Sequence, residues 1–173
     1  MSVTSAFEMM ANHNTIVAFS FCDAGNVKEF ILGKNVSLHN RSDFRNSFAF
    51  TETELFDDFR RIVLLVCDLR SSGEIEALVQ SLHKGNIHPD LLLLNAGVGY
   101  YGPHEELSVK HLTELSAVNF TAPLLLTNLF LRDIKNNQGH ILFISSVTAA
   151  KTNNTHGCAY GATKAGVSSF AKS

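Results

Sequence analysis

The sequence predicts an α/β fold: a doubly wound parallel sheet, with about five strands present and helices packed on its faces. Three observations predict it. Short apolar runs recur at "TIVAFS" (15–20), "NVSLHN" (35–40), "RIVLLVCD" (61–68), "DLLLLNAG" (90–97) and "HILFISS" (140–146). They are continuous rather than alternating, as in strands buried on both faces of a parallel sheet. Segments of helical character separate them, which implies right-handed βαβ crossovers. Polar residues stand directly after the runs, at Asp68, Asn95 and Ser146, where doubly wound sheets bind ligands.

Taken in order, residues 1–13 are expected to be a flexible extension ahead of the first run. Residues 26–34 are read as a short helix. The stretch from Asn40 to Arg60 should hold another, although Phe44, Phe48, Phe50, Phe56 and Phe59 follow no clean period. Residues 72–84, "SGEIEALVQSLHK", put Ile75, Leu78, Val79 and Leu82 on one helical face at spacings of three and four. Residues 107–135 form a long apolar-rich helix that Pro123 should bend or interrupt. A last helix begins near residue 157.

With 173 residues and 45% hydrophobic composition, the chain can bury the core of one domain. Its formal charge of -2 gives no basic cluster for nucleic acid or an anionic membrane. The start, "MSVTSAFEMMANHN", has neither the Lys/Arg region nor the apolar region of a signal peptide. No apolar run approaches the ~20 residues of a spanning helix. Cys22, Cys67 and Cys158 are odd in number and far apart, which suits buried thiols in a reducing compartment. A cytoplasmic protein is therefore expected, and the Asn-x-Ser/Thr matches at Asn35, Asn40, Asn119 and Asn153 are read as chance. The eight histidines form no His-x-x-x-His or Cys/His motif, so no metal centre is expected.

Tyr160 and Lys164 lie one helical turn apart and share a helix face. Alone, such a pair is ordinary surface chemistry, and Ser145–Ser146 or "NAG" (95–97) would be turn formers. Their joint order is more specific. "CDL", "LLLLNAGV", "VNF", "ILFISSVTA" and "YGATKAG" follow one another in the succession found in short-chain dehydrogenases/reductases, and residues 61 to 173 resemble that family. The resemblance implies an incomplete Rossmann-like dinucleotide-binding domain over residues 1–173. It also implies an NAD(P)(H)-dependent oxidoreductase that interconverts a small carbonyl and an alcohol.

Hydride transfer to a carbonyl builds negative charge on its oxygen, so a proton donor and a second hydrogen bond must converge there. By resemblance, Tyr160 is the acid/base and Ser146 bonds the substrate oxygen. Lys164 favours the phenolate, as any ammonium beside a phenol does, and holds the nicotinamide ribose. Asn119 helps hold a water in the proton relay to Lys164. Asp68 meets the adenine end, and Asn95, Ala96 and Gly97 line the cofactor cleft. Arg41, in "HNRS" with no acid at Asn40, favours NADP(H) over NAD(H), since an arginine suits a 2'-phosphate. Tyr100 and Tyr101 either line the cleft or pack within the loop. The helix bearing Lys164 often forms the subunit interface in this family, which makes a homo-oligomer an expectation.

Two departures stand out. The phosphate-binding turn after the first strand should be glycine-rich so that backbone N–H groups can approach a diphosphate. Here "AFSFCDAGNVKEF" holds only Gly25, with bulky Phe21 and anionic Asp23 nearby. The family also continues well past the Tyr/Lys pair, so this chain is expected to be the truncated front of a larger fold. A non-catalytic module that pairs through its exposed fifth strand is the competing reading.

Overall fold

A computed structural model describes residues 15–22, 26–33, 61–150 and 156–173, with side chains from residue 67 onward. The expected strand at 35–40, the expected helix between Asn40 and Arg60, and Arg41 lie outside the described residues.

Strands β1 (Thr15–Cys22), β2 (Asn26–Gly33), β3 (Arg61–Cys67), β4 (Leu91–Leu94) and β5 (His140–Phe143) form one sheet in the order β3-β2-β1-β4-β5. β1, β4 and β5 are parallel, with Val17 opposite Leu92 and Leu92 opposite Ile141. β2 is antiparallel to both its neighbours, with Val17 opposite Ile31 and Phe30 opposite Leu64. The sheet is therefore mixed, which corrects the expectation of a parallel sheet throughout. It also corrects the helix expected at 26–34, which is strand β2. The physical reason is the connection: only Asp23, Ala24 and Gly25 separate β1 from β2. A parallel crossover needs about a dozen residues or more. Val27, Phe30 and Ile31 also have the β-branched and aromatic character that suits a strand.

Helix α1 (Ser72–Lys84) starts where Ser71 Oγ accepts the Glu74 N–H, and its last turn carries His83 and Lys84, the favourable end of the dipole for a cation. Its buried face is the expected one: Ile75, Leu78, Val79 and Leu82. Helix α2 (Val109–Ser116) begins at Ser108, whose Oγ accepts the His111 N–H. It passes into a widened π turn (Ala117–Thr121) and then helix α3 (Ala122–Asn136). The sequence predicts that Pro123 bends or interrupts this helix, and the π turn ends two residues before it. Proline has no N–H to return to the residue four back. The chain widens there, with the Ala122 N–H reaching Ala117 O.

The whole stretch Val109–Asn136 runs to 28 residues and is long and apolar enough, by length and composition, to cross a membrane. This corrects the expectation that no segment comes near that length. One face of it, with Leu115, Val118, Ala122, Leu126 and Phe130, is packed into the core against Ile75, Leu82 and Leu92. Helix α4 (Cys158–Phe170) closes the described chain.

The α3–β5 junction is tight. Gln138 adopts a left-handed φ of 51°, the Gly139 N–H bonds Ile134 O at 2.8 Å, and the His140 N–H bonds Asp90 O at 2.8 Å. A Cβ on Gly139 would collide with the Asp90 carbonyl oxygen and lie 2.7 Å from its carbon. Backbone on both sides leaves no flexible group to yield. Gly139→Ala is therefore expected to lower stability by about 1–3 kcal/mol, the usual cost of overpacking, read as a lower urea midpoint with unchanged slope.

Candidate active site

The site lies at the carboxyl ends of β4 and β5. Beyond β4 the chain runs Asn95, Ala96, Gly97, Val98, with Ala96 and Val98 buried and Asn95 exposed. The π turn directs Asn119 into this exit, and its side chain is 0% exposed. Asn119 Oδ1 accepts the Val98 N–H at 2.8 Å, while its Nδ2 donates to Val98 O at 2.8 Å. One amide thus pairs with both backbone groups of one residue, as a neighbouring strand would. Nδ2 also reaches Thr163 Oγ1 at 3.3 Å, and Thr163 donates to Tyr160 O at 2.7 Å. The β4 exit, the π turn and the first turns of α4 are therefore linked.

Lys164 is 4% exposed, and its Nζ donates to Ile144 O just past β5 at 2.8 Å. Among the described residues no carboxylate pairs with it, and burial pushes its pKa down. A Cβ on Gly97 would lie 3.2 Å from Lys164 Nζ and 3.4 Å from Asn119 Oδ1. The missing side chain at Gly97 is what lets the ammonium and the amide share this wall. α4 also packs closely on the π turn: a Cβ on Gly166 would lie 2.8 Å from the Phe120 ring.

The two serines differ. Ser145 Oγ donates to Lys164 O at 3.1 Å and lies 2.6 Å from Ser168 Oγ, so it holds α4 against the β5 exit. Ser146 Oγ accepts from Thr148 N–H at 3.2 Å and Thr148 Oγ1 at 2.8 Å, and neither bond uses its own proton. Tyr160 is half-buried in the first turn of α4, its ring 5.6 Å from that of Tyr101. The tyrosines left open by the sequence part ways here. Tyr100 donates to Glu114 Oε2 at 2.8 Å and stacks on His111 at 4.1 Å, so it packs on α2. Tyr101 is 63% exposed and folds across Gly99 towards Tyr160.

Asp68 follows β3, but its carboxylate is taken by Arg70, with Nε 2.8 Å from Oδ1 and Nη2 2.7 Å from Oδ2. That guanidinium holds Asp68 below the usual carboxylate range. Arg70 continues to Glu114 at 3.6 Å, which joins the β3 exit to α2. The sequence reading missed Arg70, Thr148, Thr163 and Ser168. Asp-x-Arg at a strand exit and Thr163 beside Lys164 were the available signals.

At the phosphate end, β1 leads into antiparallel β2, so no helix N-terminus follows it. Asp23 and Gly25 lie outside the described residues.

The sequence profile of the short chain dehydrogenases matches residues 32–173. An uncharacterized oxidoreductase of Saccharomyces cerevisiae is 27% identical over 132 residues, which cover 76% of this chain and 41% of that protein. Among solved structures, a metagenomic short-chain oxidoreductase in complex with NADP superposes with a TM-score of 0.56 at 34% identity, over 60% of this chain and 48% of that one. A 4-hydroxyisoleucine dehydrogenase complexed with NADH and succinate gives a TM-score of 0.55 at 27% identity, over 60% and 45%. The chain spans less than half the length of each of these relatives.

Lys164 leaves a pH signature. Its folded pKa is lowered from the ordinary 10.5, so between the two values the unfolded chain binds the extra proton. Stability therefore rises with pH through that window and is flat below it. Lys164→Met is expected to remove this rise. Urea unfolding from neutral pH to pH 10.5 should show the variant's advantage over the wild type largest near neutrality and shrinking as pH climbs.

Proposed function

The chain belongs to the short-chain dehydrogenase family, and from that premise we propose that its site interconverts a small carbonyl compound and an alcohol by hydride transfer, with NADP(H) favoured over NAD(H). One observation carries the proposal: Lys164, an almost wholly buried ammonium with no carboxylate partner among the described residues, sits one turn after Tyr160. An uncompensated buried charge costs stability. Such groups concentrate where chemistry needs them.

Each residue then has a task. In the reducing direction Tyr160 donates the proton that the developing alkoxide requires, and it takes that proton back in the oxidising direction. Ser146, whose proton is not committed to Thr148, donates to the same oxygen and shares its charge. Lys164 favours the phenolate electrostatically and binds the nicotinamide ribose. Asn119 holds the wall rigid and positions a water that returns the proton by way of Lys164. Gly97 keeps the surface open where a side chain would press on Lys164 Nζ. Tyr101 borders the substrate.

The residues present fit the nicotinamide end of such a cofactor, which, when bound, supplies or accepts the hydride. Asp68 and Arg41 would serve the adenine side, and Asn95, Ala96 and Gly97 would line the cleft, within a Rossmann-like frame. The competing reading, a non-catalytic module that depends on a partner, has one observation in its favour, the antiparallel β1–β2 pair in place of a phosphate-facing helix. α4 would supply the contact surface of a homo-oligomer.

The decisive experiment titrates the chain with NADPH and, separately, NADH. It follows the cofactor's own fluorescence, since the protein has no tryptophan. Saturable binding with NADPH preferred is expected, and Arg41→Ala should abolish the preference. Tyr160→Phe should lower carbonyl reduction by about 10²–10⁴-fold while leaving NADPH affinity within a few-fold. A folded chain that binds neither cofactor at millimolar concentration would overturn the enzymatic reading and leave the non-catalytic, partner-dependent one.

A further inference from the structure

At the opposite end of β4 from Gly97, three side chains converge from three elements. His83 comes from the last turn of α1, His88 from the segment entering β4, and Asp133 from the end of α3. His83 Nε2 lies 2.8 Å from Asp133 Oδ2, and His88 Nδ1 lies 2.8 Å from Asp133 Oδ1. A carboxylate only accepts, so each imidazole donates its N–H to a different oxygen. All three donor atoms lie within 4.8 Å of one another.

Charge is what makes this cluster more than a pair of hydrogen bonds. Asp133 is only 9% exposed, and among the described residues no lysine or arginine pairs with it. An imidazole is not a fixed cation, so the two hydrogen bonds satisfy the carboxylate without placing a permanent positive charge beside it. Both ring edges remain open to solvent, with side chains 36% and 42% exposed, so a cation has a way in. The scaffold is also braced: Asn137 Nδ2 donates to the carbonyls of His88 and Pro89, each at 3.1 Å, and Phe130 packs edge-on against His83. Outer contacts of this kind orient metal ligands.

The geometry points to a binding site for a late first-row divalent cation, zinc foremost, held by His83, His88 and Asp133 and completed by water. Two imidazoles and one carboxylate are the donor set such ions prefer. In a tetrahedral site with bonds of about 2.0–2.1 Å the donor atoms stand about 3.3 Å apart, so the widest pair must close. The two rings are stacked, 5.2 Å apart and 18° from parallel, and no ion can lie in both planes at once. His88 must therefore swing, and its exposure permits this. Each imidazole gives up its bond to Asp133 and moves its proton to the far nitrogen, so neutral histidines release no proton on binding. The ion then ties α1 to α3 far from the hydride chemistry, as a structural staple.

The test titrates zinc into the metal-free full chain by calorimetry, with cobalt(II) absorption reporting coordination. One ion per chain is expected, along with a rise in Tm with zinc but not with magnesium. His88→Gln, at an exposed position that folding tolerates, should weaken binding at least tenfold, as should Asp133→Asn. His104→Gln should leave it unchanged, which excludes binding at the thiol–imidazole pair where Cys158 Sγ lies 3.5 Å from His104 Nδ1. The proposal is overturned if the folded chain binds no zinc, or if His88→Gln leaves the affinity intact.

Discussion

The bond between the Asn119 amide and the Val98 peptide governs the rest of the site. It is a two-way bond in a fully buried place, each partner giving one hydrogen and taking one at 2.8 Å. Removing the side chain would leave both polar groups of Val98 without that partner, and a buried unsatisfied group costs about 1–3 kcal/mol. This single amide ends β4 without a further strand to pair with. It fixes the path of Ala96–Gly97 and leaves Gly97 facing Lys164. Through Thr163 it also reaches the turn that carries Tyr160.

That arrangement depends on an irregular helix. An unbroken α-helix from Val109 to Asn136 would rotate Asn119 relative to the apolar stripe that docks on the sheet. The π turn inserts a wider loop of backbone at Ala117–Thr121, and Pro123 follows as the second residue of α3. Leu115 before the turn and Leu126 and Phe130 after it are all buried. Both flanks therefore keep their grip on the core while the turn offers Asn119 to the β4 exit. Lys164 completes the assembly from the other side, its charge bonded to the Ile144 carbonyl and its helix held by Ser145. Local irregularity and buried charge are both unfavourable alone, and packing on either side offsets them.

Much of this was legible in the residues. α1 was readable because Ile75, Leu78, Val79 and Leu82 repeat at helical spacing, and all four are buried. β4 and β5 were readable because they are short apolar runs ending in polar residues. The order of "NAG", Asn119, "SS" and Tyr160/Lys164 marked the residues that gather at one end of the sheet. β2 was not legible. "NVKEFILG" spaces Val27, Phe30 and Ile31 as a helix would, yet it also supplies the side chains of a strand. Pairing with β1 across a three-residue link, and with Arg61–Cys67 on the other edge, settles which. The capture of Asp68 by Arg70 and the convergence of His83, His88 and Asp133 were equally hidden, since the histidines and Asp133 are about fifty residues apart and fit no linear motif.

The sequence by itself determined the buried face of α1, the short apolar strands β4 and β5 and the chemical identity of the cleft residues, because these rest on side-chain type and short periodic spacing. Only the tertiary structure decided the separate duties of Ser145 and Ser146 and the parting of Tyr100 from Tyr101. Those turn on which group reaches a given hydrogen-bonding atom once the elements are packed, and local pattern carries no record of that.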